Sequence, residues 1–446
     1  MVIRSEIRPD PGGCVAAAHR SLLPIHEIPV SIPRGILSPP VRDLLMSQNP
    51  KTTPGLQAWL VVAAAFLGAF VSFGVTYTFG VFLRPIANTF HVTHAVMSVL
   101  FAVIAALTFF LAPITGELAD HHGSRPVVAF GAVLMCVALV ATGRVHSFGL
   151  LMLTYGGGLG TAAACIYIPA ISDVGEWFVK RRDIAMGIAI SGIGCGTLVA
   201  APLSAILINR YGWRTAMEVF GWASGVLLLV SAALLSPPPD SGEKKEVAIS
   251  TELRTPAFML LYISLMFAGV AVYVSLVYMP AYAADIGIPR VAAAAVIGYI
   301  GAASVVGRLG LNALAPRFGL MFMYQFAYGI LMLSFALWVT AHSYAALVVF
   351  GIVMGVGYGG IAAMAPPVAA AIFGVAGLGE LLGIMFTGFG LACIVGPPLA
   401  GVLVDYTHDF KWPVLVAAGA AVLALAFVIP LGKYKAEPAK ERATAA

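Results

Sequence analysis

Long apolar segments separated by short polar loops fill most of this chain. Twelve of these segments are long enough to cross a bilayer as a helix, which takes about 20 apolar residues. None of them shows the alternation of apolar and polar positions that is typical of a β-strand. We therefore predict twelve transmembrane helices, called span 1 to span 12 in chain order. Their predicted limits are 57–83, 93–115, 126–142, 148–173, 183–208, 213–235, 256–284, 291–314, 320–340, 344–372, 380–404 and 412–432.

Polar stretches divide these spans into domains. The longest polar stretch between spans, residues 236–255, separates six spans from six and is predicted to be a cytoplasmic linker. The expected domains are an N-terminal six-helix bundle, 55–235, and a C-terminal six-helix bundle, 256–432. Residues 1–54 are polar and proline-rich, which predicts a disordered cytoplasmic tail. Residues 433–446 are predicted to form a cytoplasmic C-terminal tail.

The two predicted bundles share a pattern of glycine and proline. Five residues of span 5 recur in span 11 at an offset of 196 residues, and three of span 4 recur in span 10 at an offset of 197. The pairs are Gly187 with Gly383, Gly192 with Gly388, Gly194 with Gly390, Pro202 with Pro398, Leu203 with Leu399, Gly158 with Gly355, Gly160 with Gly357 and Pro169 with Pro366. These matches predict two related halves, since parallel repeats of six spans are a known transporter architecture.

Composition supports a membrane protein and excludes several other classes. The chain has 446 residues, 60% of them hydrophobic and 10% charged, and its mean hydropathy is +0.95. Soluble domains carry about 25% charged residues, so a soluble fold is excluded. The net charge of +5 is spread over separate loops, so no nucleic-acid partner is predicted. The five cysteines show no ligand spacing, and we predict neither a metal site nor a cofactor.

The distribution of basic residues predicts the orientation in the membrane. With a cytoplasmic N-terminus, the inner loops, the linker and the C-terminal tail hold twelve lysines and arginines, or thirteen with Arg308 of span 8, against six on the outer side. Cytoplasmic loops of multi-pass proteins carry such an excess. We therefore predict a multi-pass protein of the cell membrane with both termini in the cytoplasm.

The loop after span 2 places a carboxylate and a guanidinium in one tight turn. It resembles a signature of the major facilitator superfamily, G-x-L-[AS]-D-x-x-G-x-[RK]. The matching residues are Gly116, Leu118, Ala119, Asp120, Gly123 and Arg125. The resemblance implies an all-α membrane protein whose twelve helices form two pseudo-symmetric six-helix bundles. It also implies a gating role for Gly116, Asp120, Gly123 and Arg125, with Asp120 and Arg125 acting as a latch between the halves.

The stretch from Trp177 to Arg214 resembles the monocarboxylate porter branch of that superfamily. The branch has an aromatic pair, a K-R-R run and a glycine-rich span that ends in G-W-R. The matching residues are Trp177, Phe178, Lys180, Arg181, Arg182, Ala185, Gly187, Ser191, Gly192, Gly196, Pro202, Gly212, Trp213 and Arg214. The resemblance implies a transporter and not an enzyme, which moves a small organic anion across the bilayer, with Arg181 and Arg182 belonging to the gating motif.

The same resemblance implies symport of a monocarboxylate with a proton by alternating access. The best-studied members of the branch carry a lysine in span 1 and an aspartate one turn before an arginine of span 8. This chain has no lysine in residues 76–82 and has Ser304 at the aspartate position, before Arg308. The coupling ion therefore stays open.

Arg308 is the sharpest candidate for substrate binding. It precedes Pro316 by eight residues, hence by about 12 Å along a helix. An ionised arginine at that depth costs several kcal/mol unless it faces a partner or water, and a carboxylate substrate is such a partner. The alternative is an arginine that extends to the cytoplasmic headgroups. Tyr77, Tyr167 and Tyr278 are the further candidates for lining the substrate cavity.

Two groups of charges are interpreted as structural. Asp173 and Glu176 lie close in sequence to the basic run 180–182 and are expected to form a solvated charge cluster. Glu218 follows Arg214 by four residues on the same helix, so we expect an ion pair between them.

Three other functions fit the same fold. An oxalate/formate-type exchanger of organic anions shares much of the pattern. A multidrug efflux transporter fits less well, because its motif in span 5 has Gly-Pro where this chain has Ala201 and Pro202. A non-transporting nutrient sensor is the alternative from a different class.

Overall fold

A computed structural model describes residues 55–178, 182–237, 252–374 and 378–434. The N-terminal tail, most of the linker and Arg181 lie outside these residues. The described chain is helical and contains no strand. Its helices are Leu56–Tyr77, Phe79–Phe90, His94–Phe110, Ala112–His122, Ser124–Arg144, Phe148–Leu151, Leu159–Trp177, Arg182–Leu234, Pro256–Asp285, Arg290–Phe318, Leu320–Val339, Tyr344–Phe373, Leu378–Thr407 and Lys411–Val428. A π-helical turn, Met152–Gly158, and two 3₁₀ turns, Glu252–Arg254 and Ile429–Lys433, complete the list.

Among the described residues, eleven helical stretches are long and apolar enough to cross a membrane. The prediction of twelve spans agrees with this number, because spans 5 and 6 form one helix, Arg182–Leu234. That helix is bent at Gly212, where φ is 83° and ψ is 164°. The backbone leaves helical geometry there, at the boundary between the two predicted spans.

Small residues bring the helices of each half close together, as the glycine pattern predicts. A Cβ atom built on Gly196 would lie 2.0 Å from the carbonyl oxygen of Phe70, and one on Gly192 would lie 2.2 Å from that of Phe66. Spans 1 and 5 therefore touch backbone to backbone. In the other half, spans 8 and 10 meet in the same way, since a Cβ atom on Gly359 would lie 2.0 Å from the Ser304 carbonyl oxygen.

Among the described residues, three pairs of spans make most of the contacts between the halves. Span 1 packs on span 7, span 2 on span 11, and span 5 on span 8. We call the end of the bundle where spans 2 and 8 begin the outer end, following the predicted orientation, and the opposite end the inner end. The substrate path of a two-bundle transporter runs between its halves, so these pairs of spans border the candidate site.

Candidate functional site

Arg308 lies inside the protein, at the boundary between the halves. Only 2% of its surface is exposed. Its Nη1 atom donates a hydrogen bond of 3.1 Å from span 8 to the carbonyl oxygen of Ile190 in span 5. The alternative of an arginine extended to the headgroups is therefore wrong for this conformation.

Two donor atoms of the Arg308 guanidinium find no acceptor in the described part of the chain. Nε and Nη2 are buried and have no hydrogen-bond partner there. The guanidinium carbon lies 5.6 Å from the ring centre of Tyr358, a cation–π distance. Ser304, one turn earlier on the helix, donates its hydroxyl to the Gly301 carbonyl oxygen at 2.7 Å. Buried donors without partners are rare, because each costs about 1–3 kcal/mol, so this guanidinium fits a site that an acceptor from outside completes.

Tyr358 and Tyr167 lie near this arginine. Together with Tyr77 and Tyr273, which are linked to Tyr358 through Tyr77, they form what we call the tyrosine cluster. The hydroxyl oxygens of Tyr77 and Tyr358 lie 3.1 Å apart, so a hydrogen bond joins the two halves. The Tyr167 hydroxyl is close enough to Arg308 for the positive charge of the guanidinium to act on it. The ring centres of Tyr77 and Tyr273 are 6.2 Å apart. The structure thus brings the sequence candidates Tyr77 and Tyr167 together with Arg308.

Tyr278 lies elsewhere, nearer the outer end. Its hydroxyl makes a short hydrogen bond with Ser98 of span 2 and lies 3.3 Å from the Pro397 carbonyl oxygen of span 11. It thus joins span 7 to the pair formed by spans 2 and 11. Tyr273, five residues earlier on the same helix, contacts Tyr77 instead. Sequence reasoning missed Tyr273, although it lies 196 residues after Tyr77, the offset of the repeat.

The space around the tyrosine cluster is small in this conformation. Two cavities border Tyr77, and each has a volume of about 10 Å³. That volume holds about one water molecule. Each of these two cavities is therefore too small for a larger solute.

The outer end is closed by a carboxylate that caps a helix of the other half. Asp405, at the end of span 11, accepts hydrogen bonds from the backbone N–H of His94 at 3.0 Å and of Ala95 at 2.8 Å. The Nδ1 atom of His94 is 3.1 Å from the same carboxylate. A carboxylate at a helix N-terminus satisfies free N–H groups and is stabilised by the helix dipole. This Asp405 cap joins span 11 to span 2.

A second contact repeats this arrangement on the other pair of spans. Arg290 begins span 8 and donates from Nη1 to the side-chain oxygen of Asn209, at the end of span 5, at 2.8 Å. Arg290 and Asn209 correspond to His94 and Asp405 through the offset of 196 residues. The two contacts are therefore repeat equivalents, but the acid of one is a neutral amide in the other.

The signature loop after span 2 lies at the inner end, where Asp120 and Arg125 are exposed. Gly123 has a φ of +86°, and Gly319, 196 residues later, has a φ of +95°. Asp173 does not belong to a solvated cluster, so that interpretation is wrong for this residue. Its carboxylate is buried and accepts a hydrogen bond of 2.6 Å from the Ser124 hydroxyl, which joins span 3 to span 4 beside the signature loop.

The structure also shows where two further predicted gating residues lie and tests the predicted ion pair. Gly116 is half-buried beside Ile168 of span 4. Arg182 begins its helix, whereas Arg181 lies outside the described residues. The expected pair of Glu218 with Arg214 is wrong. Glu218 binds Arg144 at 2.9 Å, and Arg214 donates to the Val145 carbonyl oxygen at 2.5 Å, because span 3 packs against span 6.

The described residues contain no group of three or more His, Cys, Asp or Glu side chains that could hold a metal ion. The site therefore consists of a buried cation, hydroxyl groups and two helix-joining contacts at the outer end. A buried cation between two bundles of membrane helices is typical of a multi-pass membrane transporter.

The chain matches the family model of the Major Facilitator Superfamily over residues 65–343 and 326–446. The protein therefore belongs to the Major Facilitator Superfamily. It is a membrane transporter with a small-molecule substrate and not an enzyme.

Named relatives confirm the resemblance to the monocarboxylate porter branch. The chain is 27% identical over 412 residues to monocarboxylate transporter 2 of Mesocricetus auratus, covering 84% of both proteins. It is 26% identical over 399 residues to monocarboxylate transporter 4 of Mus musculus, covering 83% of both. It is 27% identical over 418 residues to monocarboxylate transporter 12 of Xenopus laevis, covering 86% of this chain and 90% of the relative.

Solved structures confirm the fold. The chain superposes with a TM-score of 0.71 on a bacterial homologue of the human lysosomal transporter Spinster, in an inward-facing and occupied conformation. The match covers 85% of this chain and 98% of that one, at 16% identity. An inward-facing and unoccupied conformation gives a TM-score of 0.70, with 86% and 100% covered. At this identity the likeness shows the fold alone.

Proposed function

We propose that this transporter carries small monocarboxylates, and that the substrate carboxylate binds Nε and Nη2 of Arg308. The observation that carries this proposal is the burial of those two donors without a partner among the described residues. Nε and one Nη of a guanidinium form a planar fork that matches the two oxygens of a carboxylate. A bound carboxylate would neutralise the buried charge and complete both hydrogen bonds at once.

The tyrosine cluster supports a substrate with a second polar group. The ring centre of Tyr358 lies 5.6 Å from the guanidinium carbon, and its hydroxyl bonds to that of Tyr77 across the halves. A hydroxyl or keto group next to the carboxylate could replace that bond. The relatives named monocarboxylate transporters support the same substrate class.

Transport by alternating access accounts for the closed outer end and the small central cavities. The Asp405 cap and the Arg290–Asn209 contact hold the halves together on the outer side. Opening these contacts while the inner ends come together would expose Arg308 to the outer compartment. The proposed location is the cell membrane, with both termini in the cytoplasm.

Two coupling modes follow for this site. The resemblance to the monocarboxylate branch favours symport with a proton. The local chemistry favours a second candidate, obligatory exchange of anions as in oxalate/formate-type antiporters. Among the described residues, the hydrogen bonds of Arg308 include no carboxylate that could take up a proton. An empty carrier would then have to move an unpaired buried charge, which costs several kcal/mol, whereas an exchanger returns with an anion bound.

Uptake into proteoliposomes of the purified full-length protein tests the proposal. Labelled acetate, lactate and pyruvate are supplied outside, with and without an acid step and with and without an anion preloaded inside. Stimulation by the acid step supports proton symport, and flux only after preloading supports exchange. We expect Arg308→Ala to remove carboxylate uptake, and Arg308→Lys to lower it strongly because lysine lacks the planar fork.

The matched control is Arg144→Ala, which removes an arginine paired with Glu218 on the surface of one half. Its uptake is expected to stay near that of the unmodified protein. Carboxylate uptake that is equal in Arg308→Ala and the unmodified protein would contradict the proposed site. Export of cationic dyes without carboxylate flux would instead favour a multidrug efflux transporter.

A further inference from the structure

A cavity with two arginines lies at the outer end, on the outer side of a close approach between span 1 and span 7. Its volume is about 360 Å³, and spans 1, 5, 7 and 8 line it. Arg84, Arg290 and Asn209 supply its charged and amide groups. Gly80 is part of its wall, and a Cβ atom built on Gly80 would lie 2.3 Å from the Leu276 carbonyl oxygen. Spans 1 and 7 thus leave no passage at that point, and the cavity belongs to the outer side.

Comparison of the two repeats shows that the hydrogen-bond partner of Arg290 leaves its positive charge available to an anion. At the equivalent position of the other contact, Asp405 provides a carboxylate to the start of span 2. Arg290 instead has the amide of Asn209 as its hydrogen-bond partner. An amide oxygen orients the guanidinium and leaves its charge unneutralised. One half therefore closes the outer end with an acid, and the other half leaves a positive charge facing the cavity.

Arg84 is the second cation, and its pairing is loose. Its Nη2 atom is 3.9 Å from the carboxylate of Asp285, which is beyond hydrogen-bond distance. Asp285 is mostly exposed and is not among the residues that line the cavity. Among the described residues, Arg84 also contacts the ring of Phe410, at 5.0 Å from its centre. Its donors therefore remain available to a ligand.

The two cations also act on each other. The pKa of Arg84 lies below its usual value, mainly because burial disfavours the charged guanidinium, while Asp285 opposes this effect and Arg290 adds to it. Two like charges in one partly enclosed space raise the free energy of the empty cavity. An anion between them lowers it, and low-dielectric walls strengthen the attraction.

We propose that this outer cavity is a docking subsite, in which Arg84 and Arg290 bind the carboxylate group of an arriving substrate before the outer end opens. The identity of the anion rests on the proposed function, whereas the existence of an anion subsite does not. The volume suits a small organic acid. Binding here would raise the local substrate concentration above the closed contact, as charged clefts do for their ligands.

Residue-resolved protection from an arginine reagent tests this subsite directly. The full-length protein in lipid nanodiscs is treated with phenylglyoxal, and the labelling rate of each arginine is followed by mass spectrometry with lactate as the probe. At a lactate concentration of about twice the Kd, labelling of Arg84 and Arg290 is expected to slow about threefold, because occupancy protects by the factor 1 + [L]/Kd. Arg144, exposed at the same end and outside the cavity, is the internal control and is expected to react at an unchanged rate.

Two variants separate the subsite from the central site. In Arg308→Ala, protection of Arg84 and Arg290 is expected to persist. In Asn209→Asp, the acid of the other half is copied into this contact, so Arg290 becomes paired and the protection is expected to disappear. This variant keeps both arginines and changes an exposed side chain, so it tests charge and not folding.

Transport kinetics supply the second readout. Arg84→Gln is expected to raise the KM for external lactate about fivefold and to leave the KM for internal lactate unchanged, because a charge at the mouth of a path acts on arrival. Arg144→Gln is the matched control and is expected to change neither. Protection of Arg144 equal to that of Arg84, or protection that vanishes in Arg308→Ala, would overturn the subsite.

The outcomes distinguish the two proposals. Selective protection without lactate uptake by the unmodified protein would overturn the proposed function and support an anion subsite. Lactate uptake without protection would overturn the subsite and leave the proposed function in place.

Discussion

The ring centres of Tyr77 and Tyr273 lie 6.2 Å apart, although 196 residues separate the two in the chain. The next equivalent pair also meets, since Gly80 lies against the carbonyl oxygen of Leu276. Residues related by a twofold axis meet only where they lie on that axis. Spans 1 and 7 therefore cross on the pseudo-twofold axis of the molecule, which places the tyrosine cluster at its centre.

The hydrogen bond between Tyr77 and Tyr358 predicts a coupled effect on substrate affinity. Tyr77→Phe removes one hydroxyl of a pair 3.1 Å apart, and a neutral hydrogen bond contributes about 1 kcal/mol. We expect the KM for the transported carboxylate to rise about fivefold in Tyr77→Phe and in Tyr358→Phe. The KM of the double variant should rise by less than the product of the two single-variant factors, because both changes remove one shared interaction.

Tyr262→Phe is the matched control for that cycle. Its hydroxyl bonds to Thr387 at 3.0 Å within the C-terminal half, away from the boundary between the halves. Its KM should stay near that of the unmodified protein. Independent, multiplicative effects of Tyr77→Phe and Tyr358→Phe would show that the two hydroxyls do not act together on the substrate.

The Asp405 cap predicts that its charge stabilises the closed outer end. Asp405→Asn keeps an acceptor oxygen and loses the charge. Hydrogen bonds to charged groups contribute about 1.5–3 kcal/mol, against about 1 kcal/mol for neutral ones. The variant is therefore expected to lose about 1.4 kcal/mol, which is about tenfold in population. We expect the fraction of molecules open on the outer side to rise by about that factor. Distances between spin labels at the exposed loop residues His146 and His342, in a cysteine-free background, measure this fraction.

Asp409→Asn removes a nearby exposed carboxylate that accepts a hydrogen bond from the Lys411 backbone N–H within its own loop. It controls for a general loss of negative charge at the outer end, and its distance distribution should match the unmodified protein. Equal distributions in Asp405→Asn and Asp409→Asn would mean that the cap does not hold the outer end.

The turn glycines at the inner end predict a loss of stability without a steric clash. Gly123 and Gly319 have φ values of +86° and +95°, and a Cβ atom on either meets no atom closer than 4.0 Å. Alanine at either site therefore costs only backbone strain, about 1–3 kcal/mol. The apparent Tm in detergent should fall by several degrees in Gly123→Ala and in Gly319→Ala. Gly149→Ala, which has open space and no positive φ, should leave the Tm nearly unchanged.

The sequence predicted the fold because membrane helices must be long, apolar and free of unpaired backbone groups. It also placed Arg308 deep in an apolar helix, and the structure confirms its burial, whereas its role in substrate binding stays a prediction. The repeat was visible from glycine and proline alone. Each of these signals lies within one segment or in a comparison of two segments.

The choice between Tyr273 and Tyr278 depended on information that one segment does not contain. Span 7 is apolar on all sides, so its sequence does not indicate which face meets the other tyrosines of the cluster. The repeat offset from Tyr77 would have selected Tyr273. The pairs His94 with Asp405 and Arg290 with Asn209 were missed because each joins the ends of distant spans. The pairing of Glu218 with Arg144 instead of Arg214 has the same origin, since packing of span 3 on span 6 decides it.

The contact of Gly80 with span 7 predicts that a single methyl group blocks the transport cycle. Alanine at this position would place its Cβ 2.3 Å from the Leu276 carbonyl oxygen and 2.8 Å from that of Val277, well inside van der Waals contact, and backbone atoms move only together with their helix. We expect Gly80→Ala to hold the outer ends of spans 1 and 7 apart, so that carboxylate uptake falls at least tenfold while the protein still folds.

The control for this variant is Gly419→Ala in span 12, where a Cβ atom meets nothing within 4 Å and alanine favours the helix. Its uptake and Tm should equal or exceed those of the unmodified protein. Spin-label distances at the outer end should lengthen in Gly80→Ala and stay unchanged in Gly419→Ala. If Gly80→Ala kept both normal uptake and normal distances, the close approach on the pseudo-twofold axis would not be part of the closed outer state, and closure would have to depend on the Asp405 cap and the Arg290–Asn209 contact alone.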